Sequence, residues 1–233
     1  MSVRQTRTDK QRMDATGEDG SGPRPRRRMA PEMRREMILE AAVGYFADHG
    51  FEVQIRQLAR DIGISPALVF KYFDGKDALI EAVYGAVFES RWQEEWARTL
   101  KNRPVPLPER LIHFYRSYMD TVDDRNWIRI AMRASLDGSD MTRRYLAGHV
   151  SQILVLIADE IEAWFSKTGS EPVVSPEARI ESVWHLHSTV IYYLIRKHIH
   201  QVPVMEDRNE FIAMTIRQFL SGSPYGWPHR DGR

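Results

Sequence analysis

The sequence predicts an all-α protein, and three observations carry that prediction. Apolar residues recur three and four positions apart through most of residues 31–222, no segment sustains the alternation of a strand, and the interruptions are Gly, Pro and Asp-Ser loops. The pattern divides into a three-helix N-terminal part containing a helix-turn-helix and a larger helical C-terminal part. No internal repeat is evident.

A first helix is expected from Pro31, since proline and an acid such as Glu32 suit an opening helical turn. Its buried stripe is Ile38, Ala41, Ala42, Tyr45 and Phe46, and Gly50 closes it. Ile55, Leu58, Ala59 and Ile62 then give one apolar face to a helix of about two turns. Gly63 ends that helix, because the residue past a helix C-terminus often takes the left-handed conformation that glycine adopts cheaply. Ile64 plugs the turn, Ser65 caps the next helix, and Pro66 occupies its first position. Val69, Phe70 and Phe73 are expected to point inward, leaving Pro66, Ala67, Lys71 and Tyr72 outward. This is the anatomy of a helix-turn-helix, whose second helix meets base edges in the major groove.

After Asp74-Gly75, one long helix is expected from Lys76 or Asp77 to about Leu100, joining the two parts. Pro104, Pro106 and Pro108 interrupt it. Further helices follow at roughly Pro108–Val122, Arg125–Leu136, Thr142–Ser166, Ser175–His200 and Glu206–Leu220. The expected organisation is a basic N-terminal arm without fixed structure (1–30), a DNA-binding domain (31–77, motif about 54–73), a helical body (78–222) and a disordered tail (223–233).

Several short motifs arrive in order: Ile38-Leu39-Glu40-Ala41-Ala42, Phe46-Ala47, Gly50-Phe51-Glu52, Ile55-Arg56-Gln57-Leu58-Ala59, Gly63-Ile64-Ser65 and Tyr72-Phe73-Asp74-Gly75-Lys76-Asp77-Ala78-Leu79. With these the run from Arg35 to Leu79 resembles the DNA-binding domain of the tetracycline-repressor (TetR) family. Two local departures stand out. Val53-Gln54 replaces the usual Thr or Ser cap in a connection one residue short, and Phe70-Lys71-Tyr72 replaces a frequent Tyr-His-Tyr, adding a positive charge at the groove.

The resemblance implies a regulator, most often a repressor released from DNA by a ligand, with no enzymatic activity; a transcriptional activator is the alternative within the family. It also implies that the last two helices pair with those of a second copy as a four-helix interface. Trp184, His187, Ile191, Leu194, Phe211, Met214 and Phe219 are the candidates for that interface. A homodimer suits the reading chemistry, because one helix-turn-helix reads few bases and two read a palindromic operator at fixed spacing.

For contact with double-stranded DNA the candidates are Ser65, Pro66, Ala67, Leu68, Lys71, Tyr72 and Lys76, with Arg56 from the supporting helix. Ser65 can donate to a phosphate, and Pro66, Ala67 and Leu68 offer an apolar surface to thymine methyls. Lys71 reaches a guanine or a phosphate, and Tyr72 and Lys76 hold the backbone. Few amide side chains lie on this helix, which leaves part of the reading to DNA shape.

Charge supports a polyanionic partner. The chain has 33 Lys and Arg against 32 Asp and Glu, yet residues 1–35 hold ten basic and five acidic side chains. Arg24, Arg26, Arg27 and Arg28, interleaved with prolines, read as an extended arm for phosphates or the minor groove; an unstructured tail is the plainer alternative for residues 1–22. There is no Cys, hence no disulfide framework and no Cys-based metal site. The longest apolar run, Ile153–Ala158, is far too short to span a bilayer, and no signal peptide is visible. A cytoplasmic, nucleoid-associated bacterial protein without cofactors is expected.

The middle helices are expected to enclose a pocket for a small apolar or aromatic effector, lined by Trp92, Trp96, Phe114, Tyr118, Trp127, Arg129, Met132 and Trp164. His113 is more naturally a surface residue. A helical enzyme or metal protein built on the histidines is the main rival, but His185 and His187 are two apart, about 200° around a helix, and cannot easily share an ion. His198 and His200 have the same defect. A protein-binding adaptor is a further rival that would not need Ser65-Pro66, Lys71-Tyr72 and the Arg cluster together.

Overall fold

The computed structural model describes residues 30–167 and 175–222. Arg26, Arg27, Arg28 and the expected arm and tail lie outside the described residues. Among the described residues there is no strand, and no helix is long and apolar enough to cross a membrane.

Helix α1 (Pro31–His49) is followed by α2 (Ile55–Asp61), α3 (Pro66–Tyr72) and α4 (Gly75–Val87). The body comprises α5 (Glu95–Lys101), α6 (Leu107–Val122), α7 (Arg125–Leu136), α8 (Met141–Tyr145), α9 (Ser151–Lys167), α10 (Pro176–Ile195) and α11 (Arg208–Gly222). A π-helical turn, Leu146–Val150, joins α8 to α9, and another, Arg196–His200, extends α10. One continuous buried core runs from Ile38 to Ile216. Helix α6 lies at its centre, packed against α5, α9 and α11, while α1 packs on α4 and α7.

The expected single helix from residue 76 to 100 is interrupted. Helix α4 stops at Val87, a 3₁₀ turn spans Glu89–Arg91, and Trp92 is extended before α5 begins. Tertiary aromatic packing outweighs local helix propensity here. The Phe88 ring lies 4.8 Å from that of Tyr145, Trp92 stacks on His149 at 4.9 Å, and Trp96 donates its indole N–H to Ser117 Oγ at 2.9 Å.

The proline-rich connection before α6 is held from inside. Arg110, almost wholly buried, donates to the carbonyls of Val105 and Leu100 and pairs with Glu160 at 2.8 Å; Arg103 closes on the same carboxylate at 2.9 Å. Burial alone raises the Glu160 carboxyl, but the two guanidinium groups outweigh it and hold the pKa below the usual carboxylate value.

Candidate nucleic-acid interface and the cavity behind it

Helix α3 is short, so its placement depends on its ends. Gly63 takes φ +71°, turning the chain out of α2, and the Ser65 hydroxyl oxygen accepts from the Leu68 N–H at 3.2 Å. Val69 and Phe73, four residues apart, anchor the helix in the core. Arg35 of α1 lies over the Phe73 ring at 4.8 Å. The first helix of the motif, α2, starts at Gln54 without a side-chain cap, consistent with its short connection.

Two orientations differ from expectation. Phe70 is 51% exposed rather than inward, and Tyr72 is half-buried against the core rather than outward; Leu68, expected to offer an apolar contact, is half-buried against the core as well. The reason is rotational: burial extends from Val69 and Phe73 toward the 68/72 flank, and Phe70 lies about 100° from Val69 on the opposite flank. The exposed face of α3 is therefore Ala67, Phe70 and Lys71, with Pro66 and Lys76 half-buried at its borders and Arg56 exposed on α2. Lys71 reaches the Tyr72 ring at 5.9 Å, and neither it, Arg56 nor Lys76 forms an ion pair among the described residues.

The module is bolted to the body through the end of α1. Arg129 and Arg133 of α7 donate to the Ala47 carbonyl at 3.0 and 3.1 Å, Arg133 also donates to the Asp48 carbonyl at 2.7 Å, and Arg125 pairs with the Asp48 carboxylate at 2.7 Å. These cations occupy carbonyls that a helix C-terminus leaves unpaired and complement its dipole. The hydrogen bond from Arg125 keeps the Asp48 pKa below its usual value. One residue further on, the Phe51 N–H donates to Asp137 Oδ2 at 2.7 Å. A second joint links α4 to α8, where Arg144 pairs with Glu81 at 2.7 Å and lies 4.0 Å over the Tyr84 ring.

Behind this joint is a cavity of about 420 Å³ among α6, α7, α8 and α10. Of the expected pocket residues it takes Tyr118, Trp127 and Met132. The others are elsewhere. Trp96 and Phe114 are buried behind Tyr118, with ring centroids 5.4 and 5.9 Å from its ring; Trp92 stacks on His149; Trp164 is a half-buried residue of α9. Arg129 faces α1, because Arg125, Arg129 and Arg133 share one face of α7 while Trp127, Ala131, Met132 and Ser135 face the cavity. His113 is exposed.

Three candidates for a dimer interface also need correction. His187, Leu194 and Phe211 are buried in the chain's own core, Phe211 against the Tyr193 ring at 4.6 Å. Trp184 and Ile191 join His187 in lining the cavity. Met214 and Phe219 are half-buried, and Tyr192, 55% exposed, is the large aromatic that α10 presents to solvent.

Burial pushes the His187 pKa down to about 4, so its imidazole is neutral at physiological pH. The same cause raises the Tyr145 phenol to about 12 and the Tyr118 phenol well above its usual value. Among the described residues no three His, Asp or Glu side chains are grouped to hold a metal ion.

The geometry defines a helix-turn-helix DNA-binding module fixed to an all-helical body that carries an aromatic cavity. Residues 38–83 match the sequence profile of bacterial regulatory proteins of the tetR family, so this segment is similar to the DNA-binding domain of that family. It is 31% identical over 93 residues to the HTH-type transcriptional regulator HbdR of Aromatoleum sp., covering 40% of either protein. It is 44% identical over 59 residues to the HTH-type transcriptional regulator BetI of Brucella canis, spanning 25% of this chain and 29% of that one. These curated relatives are thus matched over well under half their length.

Fold similarity extends further. A TetR-like transcriptional regulator from Rhodococcus sp. RHA1 superposes with a TM-score of 0.63 at 17% identity, over 84% of this chain and all of that one. The fatty acid degradation regulator FadR from Bacillus halodurans gives 0.59 at 14% identity, over 85% and 99%. HbdR, BetI and the Rhodococcus protein are transcriptional regulators.

Proposed function

We propose that the protein is a homodimeric, ligand-released repressor that reads a palindromic operator through the major groove, acting in the bacterial cytoplasm at the nucleoid. The observation that carries this reading is the solvent-facing surface of α3: Ala67, Phe70 and Lys71 stand outward beside Arg56 and Lys76, with none of the three cations committed to an ion pair among the described residues. Residues 31–77 form the reading domain, with Lys71 the direct reader, Ser65, Tyr72 and Lys76 the backbone contacts, and Arg26–Arg28 an arm that adds phosphate contacts. Residues 78–222 bind the effector and pair with a second copy through the outer faces of α10 and α11.

Release follows from linkage. A compound that prefers the conformation with the two α3 helices too far apart for successive major grooves weakens DNA binding by that preference. Helix α7 supports this route, since one of its faces lines the cavity and the other holds the end of α1. Selection of bound fragments from the source genome by the purified full chain tests the whole reading. Enrichment of one inverted repeat upholds it, whereas binding without sequence preference overturns it.

A further inference from the structure

We infer that the cavity takes an uncharged, planar aromatic molecule bearing a hydrogen-bond acceptor, and that Trp127 and His187 recognise its polar group. The inference rests on the reading of the chain as an effector-responsive regulator and adds the chemical class of the effector.

Three features of the wall carry it. First, the lining contains no Asp, Glu, Lys or Arg. His187, the remaining side chain able to carry charge near neutral pH, is held neutral by its burial. A carboxylate or ammonium at the inner end of this space, beside the buried Tyr118, Trp127 and His187, gives up its hydration and meets no opposite charge, a cost of several kcal/mol in comparable settings. Second, Trp127 Nε1 and His187 Nδ1 are buried with no hydrogen-bond partner among the described residues, although buried polar groups are nearly always paired. Indole N–H only donates, so its partner must be an acceptor; a neutral imidazole offers one donor and one acceptor. Third, the wall is aromatic on several sides. Trp127 meets Tyr145 edge-on at 6.1 Å, His187 lies 5.3 Å from Tyr118, and Trp184 meets His187 edge-on at 6.0 Å. Such rings favour a flat π-surface placed between them, and about 420 Å³ accommodates two fused rings.

The test uses four naphthalene probes of one shape with the full-length protein: methyl 2-naphthoate, 2-naphthoate, 2-naphthylmethylammonium and 2-ethylnaphthalene. Dissociation constants come from tryptophan quenching, with thermal shift as a second readout. Methyl 2-naphthoate is expected to bind at least tenfold more tightly than either ion and severalfold more tightly than 2-ethylnaphthalene. The Trp127→Phe variant is expected to lose the preference for the ester over the hydrocarbon while still binding both. Equal or tighter binding of either ion overturns the inference, as does failure of every probe to bind at its solubility limit. An unchanged ester preference in Trp127→Phe removes Trp127 from the recognition. Operator binding of the probe-free protein is measured in parallel, so failure of the DNA-binding reading is seen separately from failure of the ligand class.

Discussion

Phe70 and Lys71 are adjacent and exposed on α3 and, on the proposed reading, bring two different chemistries to DNA. Lys71 supplies charge and a donor; Phe70 supplies a ring with no polar atom, suited to a thymine methyl or a sugar edge. Phe70→Ala is expected to weaken operator binding by about five- to a hundredfold, in the range of one good base contact. Its exposure means that the melting temperature should hardly move. Fluorescence anisotropy beside a thermal melt checks both halves, and unchanged affinity would remove Phe70 from the reading surface. Lys71→Ala is expected to lower affinity for the cognate operator and to relax base preference at the position it reads, which anisotropy on a set of single-base operator variants checks; unchanged affinity and preference would remove it as a reader.

His187 makes a prediction about acid. Its folded pKa, about 4, lies below the ordinary value near 6.5, so below pH 6.5 the unfolded chain binds a proton that the folded chain refuses. The sign is therefore destabilising: stability is retained above pH 6.5 and declines as pH falls toward 4, with a slope approaching about 1.4 kcal/mol per pH unit. Urea melts between pH 7 and 4.5 should show this slope, and His187→Leu should flatten it. The carboxylates held low, Asp48, Glu81, Asp123, Asp124 and Glu160, add their own losses below that window.

At the scale of elements, the joint between α1 and α7 turns on Gly50. Its φ of +81° is costly for any residue with a side chain, and a Cβ there would lie 2.5 Å from Asp137 Oδ2, the atom that accepts the Phe51 N–H. Gly50→Ala is expected to cost about 1–3 kcal/mol and to loosen the reading domain from the body. Hydrogen exchange should show faster amide exchange at Phe51 and in α2, and protection equal to the parent protein would contradict the joint's importance.

The same scale shows what was legible beforehand. Gly63 and Pro66 act through their own backbone and Ser65 through a cap three residues away, so these local signals placed the turn and the start of α3 correctly. The break after Val87 was hidden, because residues 88–96 contain no Gly or Pro and the interruption comes from ring partners distant in sequence. Arg129 was expected in the pocket, but with Arg125 and Arg133, each four residues away, it forms a face of α7 that grips the end of α1. An apolar stripe says that a face is covered and not by what, so His187, Leu194 and Phe211 could be assigned to a partner chain when their neighbours lie within this one.

For the whole molecule, the outer surface of α10 and α11 is what remains for a second copy, with Tyr192 exposed on it and Met214 and Phe219 half-covered. Light scattering of the purified protein at micromolar concentration is expected to report twice the 27.2 kDa chain mass. A monomer there would overturn the two-fold arrangement. Tyr192 also borders the cavity, so Tyr192→Glu, which sets a charge on the exposed face of α10, is compared in the absence of any ligand; it should shift the balance toward the monomer and lower operator affinity with it.

Helix α7 is twelve residues long, and chemical wall and mechanical fastening are opposite sides of that one rod. On the ligand-released reading proposed above, mutants that hold DNA but ignore the inducer should cluster there, in two classes two residues out of phase, one around Arg129 and one around Ala131. On the same reading, directed evolution toward a new inducer meets this constraint: a change on the cavity side of α7 also acts on the rod that grips the end of α1.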